Sequence, residues 1–140
     1  MSGKYFLDTN IIIYSFDKSE RRKLGISQKL IREALENNLG IVSYQVVQEF
    51  INVAINKFAK PLSTLDTKEY LNNVLMPLCE IFPNILFYEK SLKIRDETGF
   101  SFYDSLIVTA AIEGKCSYLY TEDLQHERIV RNVTIQNPFL

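Results

Sequence analysis

The sequence has little of several residue types that define common kinds of functional site. Its 140 residues include two cysteines, one histidine, five glycines and no tryptophan. Cys79 and Cys116 lack the spacing of a zinc site, so we interpret them as reduced packing residues of a cytoplasmic protein. The glycines form no G-x-x-x-x-G-K or G-x-G-x-x-G phosphate loop. His126 cannot supply a pair of metal ligands and, without a G-x-S-x-G motif, is expected to be a surface residue.

Long hydrophobic runs and a large excess of one charge are also absent. No apolar stretch approaches the roughly 18 residues that a membrane span needs, and the first ten residues lack a secretory pattern. The formal net charge of −1 counts mildly against nucleic-acid binding, because proteins that bind phosphate are usually basic. The hydrophobic fraction of 46% is enough for a sizeable core, and we expect a single domain over residues 1–140.

One basic segment departs from this near-neutral average. Between positions 18 and 32 the chain carries one acid, Glu20, and six basic residues: Lys18, Arg21, Arg22, Lys23, Lys29 and Arg32. The segment is either a solvated helix face or a surface that holds a phosphate backbone.

Short apolar strands alternate with helical patterns along the chain. We predict strands at 4–7, 41–42, 85–87, 118–120 and 133–135, and helices at 11–16, 20–37, 44–58, 67–79, 89–98 and 102–113. Thr9 or Asn10 is the expected cap of the first helix, Gly40 follows the second, and Ser43 caps the third. This alternation predicts an α/β domain with a mostly parallel sheet covered on both faces.

Four acidic residues lie where a buried apolar segment ends or turns: Asp8, Glu49, Asp104 and Asp123. Asp8 and Asp123 each follow a predicted strand, and the functional crevice of such sheets lies beyond the carboxyl ends of the strands. Carboxylates are rarely buried unless they are paired or bound to a cation. If the fold brings these four together, a hard divalent metal ion is expected among them.

Each acid also has a purely structural interpretation. Asp8 and Asp123 could cap the helices that follow their strands, and either Glu122 or Asp123 could complete a metal site. Glu49 could be an exposed helix residue, because it lies off the centre of the apolar face of its helix. Asp104 could complement the dipole of the most apolar helix, although no cationic partner lies near it in sequence.

The four strings that hold these acids resemble the motifs of PIN-domain ribonucleases, and among them the VapC-type toxins. The strings are FLDTN, SYQVVQEF, SFYDSLIVTAA and YTEDLQ; their order and spacing match, and the resemblance covers essentially the whole chain. It implies a three-layer α/β/α sandwich. It also implies that the four acids form a quartet that holds one or two Mg²⁺ or Mn²⁺ ions. The residues that the resemblance places around this quartet in support are Thr9, Asn10, Ser43, Thr121 and Glu122.

The activity implied by the resemblance is hydrolysis of RNA by a metal-activated water. The RNA backbone would then contact the basic segment, at Arg21, Arg22, Lys23, Lys29 and Arg32. The family typically pairs two nuclease subunits and is silenced by a small antitoxin, which implies a homodimer and an antitoxin partner. One alternative is a non-catalytic module of the same fold that binds RNA or protein. A phosphotransferase using Asp8 as nucleophile is disfavoured, because Asn10 stands where a second acid is expected.

Overall fold

The computed structural model describes residues 3–140 and contains a six-stranded sheet packed between helices. In chain order the elements are β1 (Tyr5–Leu7), α1 (Thr9–Tyr14), α2 (Arg21–Asn37), β2 (Gly40–Ser43), α3 (Tyr44–Asn56), α4 (Thr64–Tyr70), a π-helical turn (Leu71–Leu75), α5 (Met76–Leu78), β3 (Cys79–Ile81), α6 (Ile85–Thr98), α7 (Phe102–Glu113), β4 (Tyr118–Tyr120), β5 (Ile129–Val130) and β6 (Val133–Gln136). The predicted α/β fold with a central, mostly parallel sheet is confirmed.

The order of the strands creates a crevice at the centre of the sheet. The order is β3-β2-β1-β4-β6-β5, and the strands are parallel except for β5, which pairs antiparallel with β6. Phe6 of β1 is opposite Ile41 of β2 on one side and Leu119 of β4 on the other. The chain moves outward from β1 to β3 and then returns to the other side of β1. The carboxyl ends of β1 and β4 therefore flank the point where ligands bind in open α/β sheets.

The helices cover both faces because parallel strands require crossovers of one hand. The chain from α1 to α5 makes the crossovers to β2 and β3, and α2 packs on β2 while α1 packs on α2 and α3. The crossover from β3 to β4 runs the opposite way across the sheet, and α7 packs on β1, β2 and β4 with α6 beside it. Every residue of α7 from Ser105 to Ala111 is buried, as expected for its nearly uniform apolar sequence.

The strand predicted over 85–87 is wrong, because these residues form the first turn of α6. The side-chain oxygen of Asn84 accepts a hydrogen bond from the backbone N–H of Phe87 over 2.8 Å, which caps the helix. The cap and the burial of Phe87 outweigh the strand preference of Ile85. Ile85 and Leu86 remain exposed, at 74% and 67% of their surfaces.

Two short strands were not expected from the sequence. The helix predicted to reach position 79 ends at Leu78, and Cys79–Ile81 forms β3 at one edge of the sheet. At the other edge, Ile129–Val130 forms β5. Strands of two or three residues give almost no alternating pattern, so only their pairing reveals them.

Several helix boundaries also differ from the prediction. Asp8, rather than Thr9 or Asn10, is the residue before α1 whose side chain caps it. The chain leaves α2 at Asn38, which has a left-handed φ of 56°, while Gly40 is already the first residue of β2. Cys79 and Cys116 are free and buried. Within residues 3–140, the helices are too short or too polar to cross a bilayer.

Candidate active site

Asp8 lies at the end of β1, where its carboxylate is held by two hydrogen bonds. Its Oδ1 accepts from the backbone N–H of Thr9 over 2.7 Å, and its Oδ2 accepts from the hydroxyl of Thr121 over 2.7 Å. Only 7% of the residue surface is exposed. Because Thr121 follows β4, these bonds join the ends of the two central strands.

Thr121 connects Asp8 with a second acid. Its Oγ1 accepts a hydrogen bond from the backbone N–H of Asp123 over 3.1 Å and another from Asn10 Nδ2 over 3.3 Å. Asn10 Nδ2 also donates to Asp123 Oδ2 over 2.9 Å. The loop after β4 is thereby fixed to the first turn of α1, with Asp123 beside Asp8.

Glu49 joins the same network from α3. The hydroxyl of Thr9 donates to Glu49 Oε1 over 2.6 Å, so Thr9 contacts Glu49 through its hydroxyl and Asp8 through its backbone N–H. The other carboxylate oxygen of Glu49 accepts from Gln45 Nε2 over 3.4 Å, one helical turn earlier. Glu49 is otherwise exposed, so its carboxylate faces the crevice edge rather than the core.

Asp104 is connected to this network only indirectly. Its backbone N–H donates to the cap residue Ser101 over 3.1 Å, and its side chain is partly exposed at the start of α7. Within residues 3–140, its carboxylate accepts no hydrogen bond. The connection is Gln45, whose Nε2 also donates to the backbone carbonyl of Tyr103 over 3.4 Å. The structure thus joins Asp8, Glu49 and Asp123 through shared hydrogen-bond partners. Asp104 is the residue after Tyr103, whose backbone carbonyl contacts the same network.

Burial and neighbouring charge make Asp8 an unusual carboxylic acid. Burial raises its pKa from 3.8 to about 7, against the opposing effect of the hydrogen bonds from Thr121 and Thr9. The negative charges of Asp123 and Glu49 raise it further. A cation that compensates its charge would therefore favour the ionised form of this buried carboxylate.

The donor set fits a hard, hydrated cation rather than a fully chelated one. Among residues 3–140, no three His, Cys, Asp or Glu side chains lie close enough to hold a metal ion by themselves. The side-chain oxygen of Asn10 is nevertheless buried without a hydrogen-bond partner, while the amide nitrogen of the same side chain donates to Asp123 Oδ2. Oxygen donors of this kind suit Mg²⁺, which keeps several of its waters and takes few protein ligands directly.

Glu122 points away from the other acids. Its carboxylate accepts hydrogen bonds from the Tyr14 hydroxyl and from Lys23 Nζ, the latter over 2.9 Å. Burial would raise the pKa of Glu122, but the bonds from Lys23 and Tyr14 lower it below its usual value. Lys23 Nζ also lies 4.6 Å from the Tyr14 ring centroid and 5.4 Å from that of Phe139. Glu122 therefore fixes the loop after β4 to α2.

The basic residues of α2 fall into two groups. Lys23 is paired with Glu122, and Arg22 donates to the backbone carbonyl of Phe139. Arg21 and Arg32 are exposed, and Lys29 is exposed with Glu33 at 3.9 Å. The contact between Lys23 and Glu122 places the first turn of α2 at the edge of the sheet that carries the acids. Lys29 and Arg32 lie about 9 and 14 Å beyond Lys23 along the helix, at 1.5 Å per residue.

Ser43 and His126 have structural roles in this arrangement. The Ser43 hydroxyl is buried and accepts from the backbone N–H of Val46 over 3.4 Å, so it caps α3 as expected. His126 Nδ1 accepts from the backbone N–H of Asn137 over 2.9 Å, which joins the loop after β4 to the residues after β6.

Sequence reasoning missed Gln45, Tyr14 and Tyr103. The signal for Gln45 was its spacing of four residues before Glu49 on the same helix. Tyr103 is the neighbour of Asp104 and is exposed over 67% of its surface, which is unusual for a large aromatic residue. Tyr14 carries no local signal, because its partner Glu122 is 108 residues away.

A family model describes most of this chain. The PIN domain model matches residues 5–132, which includes all four acids and the whole network around them. The chain belongs to the PIN-domain family. The resemblance recognised from the four strings is therefore confirmed. Among curated proteins, none matches the sequence.

Solved structures of toxin–antitoxin proteins share the fold of this PIN domain. One is a toxin–antitoxin complex from Klebsiella pneumoniae, 19% identical with a TM-score of 0.64, matching 96% of this chain and 98% of that one. Another is VapBC2 from Rickettsia felis bound to promoter DNA. It is 20% identical with a TM-score of 0.66, and the match covers 95% of this chain and 97% of that one. A third is VapC20 from Mycobacterium tuberculosis, a toxin that cleaves the sarcin–ricin loop. It is 15% identical with a TM-score of 0.61, and the match covers 86% of this chain and 90% of that one.

Proposed function

We propose that this protein is a metal-dependent endoribonuclease that acts as a single domain, as the toxin of a toxin–antitoxin pair. The observation that carries the proposal is the hydrogen-bonded network that joins Asp8, Glu49 and Asp123 at the central crevice of a PIN domain. We propose RNA as the substrate because the structural neighbour VapC20 cleaves the sarcin–ricin loop. We propose an antitoxin as the partner because other structural neighbours are toxin–antitoxin complexes.

The cation would be Mg²⁺ or Mn²⁺, held by Asp8, Asp104 and Asp123 with Glu49, in part through water. When bound, it supplies a water of lowered pKa and neutralises negative charge at the scissile phosphate. The raised pKa of Asp8 supports this assignment, because a bound metal ion would offset the cost of ionising a buried carboxyl beside two other acids.

The residues around the acids would position them rather than react. Thr121 and Thr9 each donate a hydroxyl proton to one acid, which fixes the orientation of the carboxylates of Asp8 and Glu49. Asn10 orients Asp123 by donating from Nδ2 to Oδ2. Glu122 does not face the cation in this proposal; it anchors the loop that carries Asp123.

The RNA backbone would approach along the first turn of α2, at the edge of the sheet that carries the acids. Arg21 is an exposed basic residue of that turn, with Lys29 and Arg32 available to a longer RNA. Lys23 and Arg22 would contribute less, because both already contact other groups of the chain.

Two exposed apolar surfaces suit protein partners. A groove of about 670 Å³ between α2 and Tyr70 is lined by Phe16, Leu24 and Ile31 with Arg32 at its rim, which suits an amphipathic segment of an antitoxin. On α6, Ile85 and Leu92 lie on the same face two turns apart and are exposed at 74% and 51%, which suits a homodimer contact. The buried free thiols of Cys79 and Cys116 agree with the proposed cytoplasmic location.

One observation favours a second candidate, a non-catalytic RNA- or protein-binding module. Among the described residues, no three acids stand close enough to hold an ion without rearrangement. Such a module would bind its partner equally well with and without EDTA.

The decisive experiment is incubation with total RNA and Mn²⁺. We expect the wild type to produce discrete fragments, and EDTA or Asp104→Asn to abolish them. Asp96→Asn, which alters a solvent-exposed acid of α6, is the matched control and should cleave normally. Normal cleavage by Asp104→Asn, or cleavage that survives EDTA, contradicts the proposal.

A further inference from the structure

A small cavity beside the acids has no part in the chemistry proposed above. It lies between the start of α3 and the start of α7 and has a volume of about 120 Å³. Three tyrosine rings and two glutamine side chains contribute to its lining: Tyr44, Tyr88, Tyr103, Gln45 and Gln48. The cavity therefore combines flat aromatic walls with amides that can both donate and accept hydrogen bonds.

Two of the tyrosine rings, those of Tyr44 and Tyr103, are exposed and each packs against another aromatic ring. Tyr103 is 67% exposed, and its ring packs edge-on against Phe102 at a centroid distance of 5.8 Å. Tyr44 is 46% exposed and packs against Phe82 at 5.7 Å. Each ring is held from one side by a second aromatic residue, and the exposed remainder is available to a ligand.

The cavity is one side chain away from the acidic network. Gln45 lines the cavity and donates through Nε2 to Glu49 Oε2 and to the backbone carbonyl of Tyr103, both over 3.4 Å. A group bound between Tyr44 and Tyr103 would therefore lie next to a phosphodiester held at the acids.

We propose that this cavity binds one unpaired nucleobase of the RNA substrate, with Tyr103 as the principal stacking residue. The inference rests on the proposed nuclease function and deepens it. Aromatic side chains stack on bases of unpaired RNA, and side-chain amides read the base edges. The volume is well below the roughly 300 Å³ of the smaller drug-sized pockets, so it suits a single ring system rather than a segment of protein.

The consequence is a preference for single-stranded or looped RNA. A base within a duplex is stacked on its neighbours and cannot enter the cavity without being extruded, which costs a few kcal/mol. The cavity can therefore take a base only from a nucleotide that is already unpaired or is extruded from its duplex.

The test measures RNA affinity without cleavage, in a set of proteins that all carry Asp104→Asn. A short single-stranded RNA containing the fluorescent base 2-aminopurine is titrated with each protein in Mg²⁺. Adding Tyr103→Ala should weaken binding about five- to 150-fold, which corresponds to the loss of one stacked base. Tyr103→Phe keeps the ring and should bind like the parent, as should Ile129→Ala, which removes an exposed apolar side chain on β5. A fully paired RNA should show no difference between the proteins.

Three results would overturn the proposal. If Tyr103→Ala binds like the parent while the wild type still cuts RNA, the cavity assignment fails and the nuclease function stands. If Tyr103→Ala changes the sedimentation coefficient but not the RNA affinity, the rings form a contact between protein copies. If the parent binds no RNA and the wild type cuts none, the nuclease function fails and the cavity assignment fails with it.

Discussion

The two sides of the acidic site are built in different ways. On one side, Asp8, Asp123 and Glu49 are held by hydrogen bonds of 2.6–2.9 Å from Thr121, Asn10 and Thr9. On the other side, Asp104 is fixed only through the backbone of a capped helix, and its side chain is free to turn. A site built in this way fixes most donors in advance and leaves one carboxylate to adjust when the ligand arrives. The contrast predicts that the two sides respond differently to mutation.

The largest difference is expected between Asp8→Asn and Asp104→Asn in metal-free buffer at pH 8. Keeping Asp8 ionised when its pKa is about 7 rather than 3.8 costs up to about 4 kcal/mol of stability. The introduced amide removes the charge but leaves one acceptor oxygen for the two hydrogen bonds from Thr9 and Thr121, so the net gain is on the order of 2 kcal/mol. Asp104→Asn should change the free energy of unfolding by less than about 0.5 kcal/mol. Urea unfolding at pH 8 with EDTA measures both.

The dependence of this effect on pH gives an independent check of its cause. Between pH 3.8 and about 7 the folded protein keeps a proton on Asp8 that the unfolded chain releases. The free energy of unfolding therefore falls as the pH rises through this window. The difference between wild type and Asp8→Asn follows this contribution, because groups away from the acidic site titrate equally in both. A difference that does not vary with pH would show that Asp8 is not the buried acid described here.

The second-largest contrast is expected between Thr121→Val and Ser101→Ala. Thr121→Val keeps the shape of the side chain but leaves the Asp123 N–H and one proton of the Asn10 amide without their acceptor, at a cost of about 1–3 kcal/mol. Ser101→Ala removes the cap of α7 and should cost about 1 kcal/mol. Thr121→Ser retains the hydroxyl and serves as the control for thermal unfolding. Equal losses of thermal stability in Thr121→Val and Thr121→Ser would mean that Thr121 stabilises the fold through its packing and not through its hydroxyl.

The sequence predicted the side of the site that rests on strand ends better than the rest of the fold. Asp8 and Asp123 follow β1 and β4, and the rule that parallel strands present their carboxyl ends to one crevice places them together. Whether a segment forms a helix or a strand was harder to predict where its residues favour both. Ile85 favours a strand by its branched side chain, and Asn84 favours a helix by capping it; only the packing of α6 on α7 decides between them.

Side-chain directions could not be predicted, because they depend on partners distant in sequence. Glu122 and Asp123 are adjacent acids after the same strand, and either fits a metal site. Lys23, 99 residues away, turns Glu122 towards α2, while Asn10 holds Asp123 at the crevice. The same limit applies to Asp104, for which the motif gives a position in the chain but no contact for the carboxylate.

A smaller effect is expected when the tie between Asp8 and Glu49 is cut. Thr9→Val removes the hydroxyl that donates to Glu49 over 2.6 Å and leaves the backbone bond to Asp8 in place. Because Glu49 is exposed, water replaces the lost bond and stability should hardly change. The affinity for Mn²⁺ should fall about tenfold, since a donor that orients a ligand is lost. Calorimetric titration measures this, with Thr9→Ser as the control. Unchanged affinity in Thr9→Val would remove Glu49 from the cation site.

The smallest effect is expected where the network borders α2. Its measurement tests whether Lys23 stays paired with Glu122 when RNA binds. Lys23 is already neutralised by Glu122, so Lys23→Gln should leave the salt dependence of RNA binding almost unchanged. Arg21→Gln removes an exposed charge from the same turn and should reduce the slope of log affinity against log salt by about one. Fluorescence titrations at several salt concentrations separate the two variants. A full unit lost in Lys23→Gln would mean that Lys23 leaves Glu122 to bind phosphate, and that the loop carrying Asp123 is rebuilt when RNA binds.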